Sequence, residues 1–176
     1  MKKVIIIAII FIFLILYFLQ VNFFNWFTIA GISPNLFVIL ILFLGLFAGK
    51  RLGVPVGIIL GIIIDLFASK KIGITAIMLG IVGILAGILD KNFSKDSRIT
   101  IIVITIFTTI IYEVGIYFLN YIIISTNLEI LVFIKILSIE TIYNAILAII
   151  LYPILQKAGY YVEETFKEKQ ILTRYY

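Results

Sequence analysis

Few polar side chains interrupt the long apolar runs of this sequence, and any chemistry would depend on them. Asp65, Glu113 and Glu140 are ionisable, and Asn144 follows Glu140 by four residues. Because a charge is costly inside an apolar segment that spans a membrane, each of these residues is a candidate functional residue. The sequence has no histidine and no cysteine, which excludes disulfides, thiol chemistry, Cys/His zinc sites and histidine acid–base catalysis.

Two polar stripes are predicted on two helices in the second half of the chain. Thr109, Glu113 and Tyr117 recur every four residues, and Glu140 and Asn144 share a helix face in the same way. Lipid offers no hydrogen bonds, so both stripes must face protein or a cavity. We expect Glu113 to be protonated, because burial disfavours the charged form, and we expect it to meet Asn144. Whether these hydrogen bonds only join helices or have a further role stays open.

Glycines dominate the stretch from residue 45 to residue 87, which holds nine of the twelve in the protein. Five of them, from Gly45 to Gly61, fall four residues apart, and Asp65 continues the series. Because residues four apart share a helix face, this stripe lets another backbone come close. Gly57, Gly61 and Asp65 are therefore predicted to form a helix-packing or partner-binding surface. Asp65 either accepts hydrogen bonds from a neighbouring helix or partner, or is an acidic group near a helix end.

The composition predicts an all-α polytopic membrane protein. Of the 176 residues, 64% are hydrophobic and 13% are charged, whereas soluble domains carry about 25% charged residues. The net charge of +5 does not indicate nucleic-acid binding, because the basic residues lie in short loops between apolar runs. No cofactor or metal is predicted, since no acidic cluster or phosphate-binding loop is visible. Glu163 and Glu164 near the end of the chain are interpreted as solvated charges.

Six apolar segments define about six transmembrane helices: Val4–Phe24, Ser33–Ala48, Val54–Ser69, Ile72–Leu89, Ile99–Ile124 and a sixth that ends near Gln156. The second and third are short for a bilayer that needs ~20 helical residues, so a hairpin that only dips into the membrane is an alternative. Residues 1–157 are predicted to form one six-helix domain. Residues 158–176 are predicted to form a cytoplasmic tail, in which a short helix on the membrane surface is expected.

The distribution of lysine and arginine predicts the orientation. With both termini in the cytoplasm, eleven basic residues lie on the cytoplasmic side and three on the other side. Lys70 and Lys71 belong to the smaller set and fit this topology poorly. The first apolar run is longer than a signal-peptide core and has no small-residue cleavage site after it, so it is interpreted as a retained span.

The second and third spans, which contain GKRLGVPVGIILGIIIDLFASKKIG, resemble the rod shape-determining protein MreD family. A proline opens the second span, and the glycine-rich third span ends with Gly57, Gly61 and Asp65 before a turn that contains Gly73. The closing segment TIYNAILAIILYPILQK, with Asn144, is also similar to that family. The resemblance covers nearly the whole chain.

The resemblance implies a non-enzymatic scaffold of the bacterial cell-elongation and peptidoglycan-synthesis machinery in the cytoplasmic membrane. Members associate with the bitopic protein MreC and, with it, with a RodA-like polymerase, its transpeptidase partner and the actin-like MreB. On this basis, the surface with Gly57, Gly61 and Asp65 is expected to receive an MreC helix. The family is also similar in fold to the substrate-binding subunits of energy-coupling-factor transporters, so vitamin capture is the alternative function.

Overall fold

The computed structural model describes residues 2–68, 72–90, 95–124 and 129–167, and over these residues it is a bundle of helices without strands. The helices are α1 (Lys2–Phe18), α2 (Leu36–Ala48), α3 (Lys50–Ala68), α4 (Ile74–Leu89), α5 (Arg98–Ile124) and α6 (Ile130–Lys167). The first helix continues through a π-helical turn, Leu19–Phe23, and a last α-helical turn, Phe24–Trp26. The six helices α1 to α6 correspond to the six apolar segments that the sequence predicts. Predictions that concern Lys70 and Lys71 lie outside the described residues.

The centre of the bundle is α2, and all thirteen of its residues are buried. Its sequence is apolar on every side, which is typical of a helix enclosed by others. Asn35 caps the helix, because its side-chain oxygen accepts a hydrogen bond from the Val38 amide at 3.3 Å. At the other end, Gly49 has φ +74°, a conformation that suits glycine and allows the chain to turn directly into α3.

The helices α3 and α4 form the tightest pair of the bundle, with glycine contacts along their length. The longest helices, α5 and α6, pack against each other and against α2. Over the described residues, Arg98–Ile123 and Ile130–Thr165 are long and apolar enough to cross a membrane by length and composition. These two helices, together with the many exposed apolar side chains, point to a helical membrane protein.

Three predicted boundaries differ from the structure. Pro34 precedes α2 instead of standing inside its first turn, and its carbonyl oxygen accepts a hydrogen bond from the Gln20 amide at 2.6 Å. The third segment is predicted to begin at Val54, whereas α3 begins at Lys50, so Pro55 lies within this helix. The last helix continues beyond Gln156 to Lys167. The part of the tail up to Lys167, where the sequence predicts a separate surface helix, therefore belongs to α6.

Charged residues gather at one end of the bundle. Lys95 forms ion pairs there with Asp90 and Glu163, and the Arg98 guanidinium lies over the ring of Tyr152 at 5.9 Å. The opposite end carries the aromatic turn that closes α1, where Trp26 is 88% exposed. This separation agrees with helices that alternate in direction through a bilayer, with a tryptophan at the interface opposite the Lys95 ion pairs.

Candidate functional site: a glycine-packed helix pair and a buried polar layer

The glycine stripe of α3 faces α4. A Cβ atom added at Gly61 would lie 2.6 Å from the Ala76 nitrogen and 2.9 Å from the Thr75 carbonyl carbon. One added at Gly57 would lie 2.5 Å from the Leu79 carbonyl oxygen. Real Cβ atoms do not approach backbone this closely, so these positions require glycine. The stripe is thus packed within the chain, and Gly57 and Gly61 are covered by α4.

The contact is reciprocal, because α4 contributes its own glycines. A Cβ atom at Gly83 would lie 2.6 Å from the Gly53 carbonyl carbon, and one at Gly87 would lie 2.7 Å from the Lys50 Cα atom. Backbones that approach this closely gain dispersion contacts along their whole length, which is the main driving force for helix association in lipid. The pair α3–α4 is therefore one rigid unit.

Asp65 fixes one end of this helix pair. Its side chain is fully buried, and its Oδ2 atom accepts hydrogen bonds from the amides of Gly73, Thr75 and Ala76 at 2.7, 3.1 and 3.3 Å. These amides open α4, where the first N–H groups have no partner within the helix. A carboxylate there is also favoured by the helix dipole. Asp65 on α3 therefore caps the neighbouring helix α4. It accepts hydrogen bonds from that helix, and it lies in the last turn of its own helix.

A layer of buried polar groups joins α2, α5 and α6. Asn144 of α6 is fully buried. Its side-chain nitrogen donates a hydrogen bond to the Thr109 hydroxyl at 3.2 Å, and its Oδ1 atom accepts one from the backbone N–H group of Asn35 at 2.8 Å. The polar stripes of α5 and α6 therefore pack together, but Asn144 pairs with Thr109, one turn from Glu113. The same amide group also anchors the first turn of α2.

Glu113 and Glu140 face each other one turn along the same interface. Each is 8% exposed, and the two carboxyl groups lie close enough to interact directly. The Asn35 side chain also reaches Glu140 and the hydroxyl of Tyr112. Among the described residues, the hydroxyls of Thr108 and Thr141 and one oxygen of Glu140 are buried without a hydrogen-bond partner. The layer is therefore enclosed within the bundle, and its hydrogen-bond network leaves these three atoms unpaired.

Sequence reasoning missed two polar residues that hold the start of α2, Gln20 and Asn35. Gln20 lies in the π-helical turn, where it donates to the Pro34 carbonyl and accepts from the Leu36 amide at 3.1 Å. Asn35 carried a signal, since an asparagine before an apolar run is a common helix N-cap. Gln20 carried none beyond its polarity within an apolar run.

Disulfide crosslinking can test the pairing of α5 with α6. We expect cysteines at positions 113 and 140, and separately at 109 and 144, to crosslink under mild oxidation. The background is clean, because the protein contains no cysteine. Cysteines at 113 and 142 are the control: Ile142 is 61% exposed and should not crosslink with Glu113. Equal crosslinking of the control pair, or none for the two test pairs, would contradict the described interface.

The carboxyl groups of the layer are enclosed within the bundle, and the outer face of α3 and α4 carries a groove. Among the described residues, no group of three or more Asp and Glu side chains is placed to hold a metal ion. Glu113 and Glu140 are both enclosed, and the hydroxyls near them belong to threonines and a tyrosine within the helix interface. An apolar groove of about 460 Å³ lies on the lipid-facing side of α3 and α4, between Val54, Ile58 and Ile77. The surface features are thus suited to helix contacts.

The fold and these sites define a class: a polytopic helical membrane protein held together by close backbone contacts and buried polar pairs. A comparison with protein families matches residues 1–160 to the rod shape-determining protein MreD. The chain therefore belongs to the MreD family, whose members are structural shape-determining proteins. Neither the search of curated proteins nor the search of solved structures found a match.

Proposed function

We propose that this protein is a non-enzymatic scaffold of the bacterial cell-elongation machinery, which binds an MreC-like bitopic protein within the cytoplasmic membrane. The observation that carries the proposal is the family match over residues 1–160. The enclosed carboxyl pair and the close helix contacts support a structural role over a catalytic one. A RodA-like polymerase, its transpeptidase and MreB are proposed to join through the same assembly.

The position of the partner helix must be revised from the sequence-based expectation. Because α4 covers Gly57 and Gly61, and Asp65 is bonded to α4, these residues would shape a docking surface without touching the partner. We propose that the partner lies in the apolar groove on the outer side of the α3–α4 pair. Its walls include Ile58, 40% exposed, and Ile77, 51% exposed.

The proposed occupant is the single transmembrane helix of the MreC-like protein. The groove is lined only by apolar and small residues, so it matches a helix embedded in lipid and offers nothing to a charged ligand. Gly80 forms part of its floor, beneath the Ile58 side chain. The closely packed α3–α4 pair would hold the groove in shape, because its two walls are joined by the glycine contacts.

Co-purification with the MreC-like protein tests this surface. We expect Ile77→Trp to fill the groove and to reduce the amount of recovered partner by about tenfold or more. A tenfold reduction corresponds to a loss of about 1.4 kcal/mol of binding free energy. Ile149→Trp is the matched control, since Ile149 is 44% exposed on α6 and lies outside the groove. Unchanged recovery with Ile77→Trp, while both variants insert normally, would exclude the groove. Loss of recovery with both variants would equally contradict a local site.

The proposed orientation places both termini in the cytoplasm. The end of the bundle with Lys50, Lys95 and Arg98 would then face the cytoplasm, as expected for basic residues near membrane-spanning helices. The exposed aromatic turn with Trp26 would lie at the outer interface. Residues 158–176 would belong to a cytoplasmic tail whose first part continues α6.

A further inference from the structure

The last part of α6, residues 153–167, forms an arm that begins at a weak point of the helix. Pro153 lies inside α6. Proline has no N–H group, so it cannot donate to the carbonyl four residues earlier, and its ring pushes that carbonyl away. A proline within a helix is a usual position for a bend. The helix is therefore weakest at Pro153, where one backbone hydrogen bond is already absent.

An ion-pair cluster ties the arm to the segment between α4 and α5. The Lys95 Nζ atom lies 2.5 Å from Asp90 Oδ1 and 2.7 Å from Glu163 Oε1. The Lys95 side chain is only 12% exposed, and its ammonium group also lies 5.2 Å from the centre of the Phe47 ring. Because these groups are largely removed from water, loss of one partner leaves a poorly solvated charge, and this is costly.

Asp96 provides a second polar tie to the arm. Its Oδ1 atom accepts a hydrogen bond from the Gln156 amide at 3.3 Å and another from the hydroxyl of Tyr160. Both donors belong to the arm, within two turns of Pro153. We call the contacts of Lys95 and Asp96 with the arm the latch.

The latched arm covers an aromatic ring at the end of α2. Tyr160 stands edge-on to Phe47 with ring centres 5.2 Å apart, and a Cβ atom at Gly159 would lie 2.5 Å from the Phe47 Cγ atom. Phe47 is 1% exposed as a result. Glycine at position 159 thus allows the arm to lie flat against the end of the central helix.

We propose that the arm is a hinged flap, which the latch holds closed and which pivots at Pro153 to uncover Phe47. Three features support it: a proline marks the hinge, the polar ties concentrate on two adjacent residues, and the covered surface is one aromatic residue of the central helix. An open arm presents an apolar surface at the charged end of the bundle. The closed arm hides that surface.

Distance measurement between spin labels on the full chain in lipid nanodiscs tests the proposal. One label is placed at Glu164→Cys on the exposed side of the arm and one at Val103→Cys on α5, and no native cysteine interferes. We expect Lys95→Gln to broaden the distribution and change the mean distance by about 6 Å, as a ~20° pivot gives for about eleven helical residues. Lys157→Gln, which removes an exposed charge of the arm outside the latch, should leave the distance unchanged.

The hinge is tested by adding Pro153→Ala, which restores the missing backbone hydrogen bond. We expect the Lys95→Gln, Pro153→Ala double variant to stay near the closed distance. Labels at Val103→Cys and Ile146→Cys, both before the hinge, should keep their distance in every variant and thereby exclude general unfolding. An unchanged distance in Lys95→Gln, the same change in Lys157→Gln, a change in the control label pair, or full opening in the double variant would each overturn the proposal.

Discussion

Gly61→Ala should lower the free energy of unfolding by about 3 kcal/mol, because overpacking of a tight contact costs about 1–3 kcal/mol and here the obstacle is backbone. The added methyl group would meet the Ala76 nitrogen and the Thr75 carbonyl carbon, and neither can turn away as a side chain would. The helices α3 and α4 would have to separate along their length. Reversible unfolding in detergent or bicelles measures the effect.

Gly80→Ala is the matched control for this prediction, since it adds the same methyl group to a buried glycine of the same helix pair. Its Cβ atom would meet only the Ile58 side chain, 3.0 Å from Cγ1 and 3.5 Å from Cδ1. The end of that side chain can move, so we expect a change within about 1 kcal/mol. Equal destabilisation by both variants would show that the α3–α4 contact is not limited by backbone approach.

Asp65→Ala should also destabilise the protein by about 3 kcal/mol or more, because hydrogen bonds to a charged group contribute about 1.5–3 kcal/mol each. Three amides at the start of α4 would lose their acceptor, the fully buried carboxylate of Asp65. Asp65→Asn keeps one oxygen and loses the charge, so its effect should be smaller. If Asp65 is a cap, the free energy of unfolding should increase in the order Asp65→Ala, Asp65→Asn, wild type.

Unfolding measurements and amide hydrogen exchange both report on this cap. Exchange should become faster first at Gly73, Thr75 and Ala76, while the middle of α4 keeps its protection. Glu164→Ala serves as the control, because Glu164 is an exposed acidic residue of α6. Uniform loss of protection across the bundle would indicate a general effect and would contradict a local role for Asp65.

The number and order of the helices could be predicted from the sequence, because apolar runs of this length have few alternatives in lipid. The boundaries were harder where proline stands near a helix start. Both Pro34 and Pro55 stand second in a predicted apolar segment, yet Pro34 lies before α2 and Pro55 lies inside α3. The difference depends on Asn35, which caps α2, and on Gly49, which allows α3 to begin directly at Lys50.

The glycine stripe predicted a close backbone contact but not the identity of the second helix. A stripe of glycines indicates only that another backbone comes close. A helix of a partner protein or a later helix of the same chain could supply that backbone. The structure assigns that position to α4, whose Gly83 and Gly87 match the stripe in α3. The same limit applies to Glu163, which was interpreted as a solvated charge: its ion pair with Lys95 joins residues 68 positions apart.

The complete enclosure of α2 has a consequence for biogenesis. This helix leaves the ribosome before α5 and α6, two of the helices that cover it, so for a time its flanks meet acyl chains. A polar side chain there would be satisfied in the finished bundle and stranded during synthesis. The apolar composition of α2, mostly leucine, isoleucine and phenylalanine, therefore suits the order of translation as well as the final packing, and the polar Asn35 stands just before the first residue of the helix.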